Sequence, residues 1–169
     1  MQNQAGERFL KFSAPFVEST KEIFKVMIST DVRLHSPRLK VDRRSRGDIT
    51  AFIAMNGVVG IGDNKKDFAG LLALAFTEPV YLAVASRMLG EEYKEYGPDV
   101  ADVGAEIVNI ILGKSKPALH ALGIQLGMSN PSTIMGRQHE ISFPRTGEVV
   151  EIIVESDMGQ MFLDLCYQE

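Results

Sequence analysis

Residues 99–119 read DVADVGAEIVNIILGKSKPAL, a long apolar-periodic run that carries Asp102, Glu106 and Asn109 in the pattern D-x-x-x-E-x-x-N. At about 100° per residue the three polar groups fall at roughly 0°, 40° and −20°, and Gly113 follows at about 20° on the same line. Val103, Ile107, Val108, Ile110, Ile111, Leu112 and Leu119 occupy the other side. The run therefore predicts a helix with one broad buried face and one narrow exposed stripe. Exposure calls for polar residues, but not for an acid and an amide beside a bare glycine. That combination points to a surface offered to a partner.

Working outward, this helix is expected over 100–122, closed by Gly123 and kinked where the Pro117 ring meets the carbonyl of Gly113. A polar loop over 91–99 with a Gly-Pro pair precedes it, and before that a helix is expected over Glu78–Leu89, with Pro79 in its first turn and Gly90 just past its end. Further back lie strands over 47–57 and 68–76, joined by a glycine-rich connection that makes an antiparallel pair the economical reading. An edge or irregular strand over 31–40, broken by Pro37, comes earlier. A first helix is expected over 14–29, with Ser13 as N-cap and Pro15 near its first position. After Gly123 the pattern turns β again around 130–134, 139–143, 148–155 and 160–167. The fold class is α+β, an antiparallel sheet covered by long helices in the order α-β-β-β-α-α-β-β-β, and residues 1–169 are read as one domain.

The chain has 169 residues, enough to bury a core without metal or disulfides. Its formal charge of −4 and pI near 5.4 argue against general binding to nucleic acid or to an anionic membrane. The single Cys166 excludes an intrachain disulfide and fits a reducing compartment. No apolar leader stands at the N-terminus, and no stretch reaches the roughly 18 apolar residues of a membrane helix, so the expected location is cytoplasmic.

Other candidate sites are weaker. Gly113-Lys114-Ser115 resembles the end of a phosphate-binding loop, but position 108 is Val and lies inside a helix that ought to follow such a loop. Gly57, Gly60 and Gly62 fit a hairpin connection better than a dinucleotide fingerprint. His35, His120 and His139 lie in different elements without ligand spacing, and no Ser, Thr or Cys has a nucleophile context. The cations Arg38, Lys40, Arg43, Arg44 and Arg46 could meet phosphates, but with no aromatic neighbour in the sequence they read as a solvated turn.

GAEIVNIILGKSKPALHALGI, followed by SNPSTIMG, resembles the CheC/CheX/FliY group of phosphatases that act on phosphorylated chemotaxis response regulators, and CheX most of all. The group's motif is Asp or Ser, three residues, Glu, two residues, Asn, and a Pro about 22 residues later. Asp102, Glu106 and Asn109 match the helical part, and Pro131 lies about one residue short of the pattern. APFVESTKEIFKVMIST, the Asn56-Gly57 pair, Met88–Gly90 and PSTIMG extend the likeness over nearly the whole chain.

The resemblance implies a substrate on another protein: the aspartyl phosphate of a CheY-like response regulator, held with Mg2+ in that protein's own acidic pocket. This chain would bind no cofactor or metal of its own. Asn109 would orient the attacking water, Glu106 would pair with the regulator's active-site Lys, Gly113 would admit the partner's backbone, and Asp102 would add a rim contact. The competing reading is a module that docks the regulator without turnover, and a ligand-sensing domain built on residues 38–46 ranks last. CheX-like proteins pair through their sheets. The apolar C-terminal run QMFLDLCYQE, expected as a free edge, therefore suggests a homodimer.

Overall fold

Ile49, Ala51, Ile53 and Met55 stand at every second position and are fully buried, and this period of two builds a strand with one face for the main core. It forms one of two long neighbouring strands, β3 (Ile49–Val59) and β4 (Lys66–Phe76), paired antiparallel over their full length as the sequence indicates. The computed structural model describes residues 2–143 and 147–168, so Met1 and Glu169, the ends of the expected domain and C-terminal run, lie outside it. Ahead of this pair stand α1 (Gln2–Met27) and the two-residue strands β1 (Arg33–Leu34) and β2 (Arg38–Leu39). After it come α2 (Glu78–Leu89), α3 (Val103–Ala121), β5 (Ile124–Leu126), β6 (Pro131–Met135), β7 (Val149–Ser156) and β8 (Gly159–Gln168). The sheet runs β1-β7-β8-β4-β3-β5, with β2 also on β7 and β6 also on β3, and every pairing is antiparallel. The α+β class and the helix-covered antiparallel sheet are as expected.

Four expectations change in detail. The first helix begins about a dozen residues earlier, so Pro15 lies inside it and Ser13, instead of capping, donates to the Leu10 carbonyl. Burial outweighs the bond lost at Pro15: Phe12 and Phe16 pack below 3% exposure, and Phe12 meets Phe9, Phe68 and Tyr167 edge-on or tilted. The region over 31–40 is two edge strands instead of one, because Pro37 interrupts the ladder between them. The stretch over 139–143 makes only the bridge Arg44 to Glu140 and crosses the outer face of the sheet, where Ile141 and Phe143 are buried with Leu71, Val149 and Cys166. Between Gly123 and β6, the short strand β5 adds to the second group of strands.

A fifth change bears on assembly. β8 is interior to the sheet, bonded to β7 on one side and β4 on the other. Its apolar character follows from burial on both faces. A free C-terminal edge therefore does not exist, and the reason for expecting a homodimer there falls away.

Candidate functional site

α3 forms where its apolar residues direct it. Val103, Ile107, Val108, Ile111, Leu112 and Leu119 are buried against the inner face of the sheet. Ile110, placed by the wheel on the buried side, lies at its margin and is half-buried. Gly104 is the point of closest approach: a Cβ there would come within 3.0 Å of both the Ala51 Cβ and the Tyr81 ring. No larger residue could let the helix sit this close to β3 and α2 without displacing them.

Several bonds hold the helix in register. The buried Tyr81 hydroxyl of α2 donates to the Val100 carbonyl at 2.7 Å and accepts from the Gly104 N–H at 3.0 Å, tying down the first turn. Burial pushes this phenol up to about 12, so it stays protonated and keeps its donor. Farther along, the buried Ser115 hydroxyl bonds the Ile111 carbonyl and Ser19 of α1, Lys114 pairs with Glu22 of α1 at 2.8 Å, and Lys116 reaches the Gly127 carbonyl in the loop before β6. The helix continues through Pro117 to Ala121. α3 is thus pinned at its start, middle and end.

On this pinned rod Asp102, Glu106, Asn109 and Gly113 are all exposed, as the wheel requires. Asp102 takes the N-cap position without a side-chain capping bond, and its carbonyl accepts from the Glu106 N–H at 2.9 Å. Among the described residues, the side chains of Asp102, Glu106 and Asn109 make no hydrogen bond or ion pair with the rest of the chain. The space where a Gly113 side chain would stand is open. Pro117 has no N–H to give the Gly113 carbonyl, so the usual helical bond to that acceptor is missing. Glu106 and Asn109 are neighbours about one turn apart. Together they present an anion and an amide, held by the backbone and directed outward.

Two contributions were missed in the sequence. Tyr81 carries no local signal of such a role, and only the packing shows that it fixes α3. His120 is exposed and falls at about 0° on the same wheel as Asp102, so the stripe runs to the far end of the helix with a basic residue there. That signal was available from the spacing alone. Pro131, the last element of the sequence pattern, opens β6 opposite Ile53. Among the described residues, no group of three or more His, Cys, Asp or Glu is placed to hold a metal ion.

The family profile described as chemotaxis phosphatase CheX matches residues 55–155, a span that includes Asp102, Glu106, Asn109, Gly113 and Pro131. Solved structures of similar shape include a CheC-like superfamily protein from a Shewanella species, 26% identical, covering 94% of this chain and 98% of its own, with a TM-score of 0.80. A chemotaxis protein CheX from Desulfovibrio desulfuricans is 25% identical over 92% of this chain and 98% of its own, with a TM-score of 0.79. A CheX–CheY–BeF3–Mg2+ complex from Borrelia burgdorferi, at 22% identity, covers 92% of this chain and 96% of its own with a TM-score of 0.72, a likeness of fold. No curated protein sequence matches.

Proposed function

The chain belongs to the CheX family of chemotaxis phosphatases, and from that premise we propose that it accelerates hydrolysis of the aspartyl phosphate on a CheY-like response regulator. The observation that carries this reading is the pair Glu106 and Asn109, exposed on a helix fixed at three places and, among the described residues, without a side-chain hydrogen bond or ion pair.

The reaction asks little covalent chemistry of the catalyst. A water oxygen attacks phosphorus in line, the bond from phosphorus to the aspartyl oxygen breaks, and the carboxylate returns to the regulator with inorganic phosphate released. Positioning and charge stabilisation dominate such a step. In this reading Asn109 holds the water, since its amide both donates and accepts and has few rotamers to lose. Glu106 makes a charge-assisted bond to the regulator's active-site Lys, which sets the helix in register. Gly113 admits the partner's backbone, with Asp102 at the rim. The Mg2+ belongs to the regulator's acidic pocket. The Borrelia neighbour, a CheX with CheY, BeF3 and Mg2+, supports the partner class.

Among the described residues no helix is long and apolar enough to cross a membrane, and we place the reaction in the cytoplasm. A homodimer remains part of the proposal, but it would use an outer edge of the sheet, the β5 and β6 side or the β1 and β2 side, since β8 is occupied. Light scattering separates it from a monomer of 18.6 kDa. The activity is tested by following phosphate loss from phosphorylated candidate regulators with and without the protein. Unchanged lifetimes together with measurable docking would favour the binding module without turnover.

A further inference from the structure

The basic cluster between Arg38 and Arg46 is not the solvated turn its sequence suggests. Glu151 of β7 and Asp164 of β8 stand opposite each other in register on the outer face of the sheet, 1% and 3% exposed. Three cations converge on them. Arg38 donates through Nε and Nη2 to Glu151 Oε1 at 3.0 and 2.6 Å, Arg46 Nε lies 3.2 Å from Oε2, and Lys40 bonds Asp164 with its Nζ 3.6 Å from Glu151. Phe162 supplies the aromatic neighbour that the local sequence lacks, 5.3 Å from the Arg46 guanidinium carbon.

Two buried carboxylates call for two cations, and three converge on them: Lys40 is taken by Asp164, which leaves Arg38 and Arg46 sharing Glu151. The excess has a direction. Arg38, Arg44 and Arg46 line an open cleft of about 520 Å3, in which Lys40 brings the cations to four against the carboxylates of Asp42 and Glu151. Each guanidinium has five N–H donors, of which Arg38 gives two to Glu151 Oε1, while Arg46 meets Oε2 only as an ion pair. Both arginines are therefore anchored by a buried acid and still about half exposed, at 46% and 51%. Arg44, opposite Glu140 in the isolated bridge, makes no ion pair with it among the described residues and has only a 4.0 Å contact with Asp42. The apolar side chains of Leu39 and Val41 flank the cleft and are strongly exposed. Its volume is that of a small-molecule site, within the usual range of roughly 300–1,000 Å3.

We propose that this cleft binds an organic phosphate of nucleotide size, its phosphate oxygens taken by Arg38, Arg44 and Arg46 and its organic part lying against Leu39 and Val41. Fixed guanidinium forks suit phosphate better than mobile lysines do, because two parallel N–H bonds can form without further ordering. Asp164 and Leu163 are neighbours on β8 and point to opposite faces, Leu163 into the core under the helices. The cleft therefore opens on the side of the sheet away from α3, and its ligand would not compete with a docked regulator.

Calorimetric titration of the intact protein with ADP, pyrophosphate and adenosine, all at one ionic strength, tests the proposal. ADP should bind more tightly than pyrophosphate, and adenosine should not bind at millimolar concentration. Arg44→Glu, on an exposed side chain, should weaken ADP by about tenfold or more, and Arg46→Gln should do so as well, with the unfolding midpoint of the Arg44 variant unchanged. No binding of ADP, or equal binding by wild type and the Arg44 variant, would overturn the site. Equal affinity for ADP and pyrophosphate would overturn its organic half. None of these results touches the phosphatase reading, which rests on the other face.

Discussion

Two sets of charged and polar residues lie on opposite sides of one sheet, and they are treated in opposite ways. On the outer face Glu151 and Asp164 are buried, and every cation near them is engaged with at least one carboxylate. On α3, Glu106 and Asn109 are exposed and, among the described residues, make no side-chain hydrogen bond or ion pair. The rigid support is common to both. Charges that satisfy one another inside a chain maintain that chain, whereas polar groups left unsatisfied on a rigid support are available to another molecule. The outer cluster does both: its acids are structural, and its surplus of guanidinium donors is not.

Removing the centre of the buried cluster should show the largest effect. Glu151→Ala leaves Arg38, Lys40 and Arg46 crowded without their shared anion and should cost on the order of 3 kcal/mol in urea unfolding. A loss below about 0.5 kcal/mol, the range of ordinary surface changes, would erase the contrast between the two faces. Asn109→Ala should do the reverse, leaving stability within about 0.5 kcal/mol and lowering turnover of a phosphorylated regulator by about 10²-fold while docking persists. Near-normal turnover in that variant would remove Asn109 from the mechanism.

Asp164 sharpens the comparison through pH. Burial, only partly offset by Lys40, raises its carboxyl from 3.8 to about 6. A raised carboxylate favours the fold most when protonated, so its contribution is fully present below about pH 4 and is lost as pH rises through about 6, on the order of 3 kcal/mol in all. Asp164→Asn should flatten that part of the stability profile between pH 4 and 7. Parallel profiles for the two proteins would mean that the side chain ionises normally. Glu106 is the smallest expected effect. Glu106→Ala should weaken docking and turnover together by about tenfold, and Glu106→Gln should keep the shape but lose the charge-assisted bond. The check is titration with a regulator locked in its phosphorylated form, where equal affinity for all three proteins would contradict the pairing with Lys.

Glu106 and Asn109 were legible as an exposed stripe because a helix converts spacing into direction without help from distant residues. The same arithmetic placed Asp102 and Gly113 and could have placed His120. α2 was read to the residue, since Pro79 and Gly90 mark its start and stop locally, and Gly90 adopts the left-handed conformation with φ 72° that such an end requires. By contrast, the start of α1 was misread at Pro15. Local rules end a helix there, but the aromatic packing of Phe12 and Phe16 carries it through.

By itself, then, the order of residues determined the helix-covered antiparallel sheet and the α3 stripe, both consequences of short-range periodicity and local stop signals, while its motifs carried the family resemblance. The tertiary structure alone decided that β8 is interior, that Tyr81 anchors α3, and that Glu151 and Asp164 gather cations more than 100 residues away in the chain. Strand order and buried ion pairing depend on which distant segments meet, and a sheet brings together residues whose separation along the chain carries no local signal.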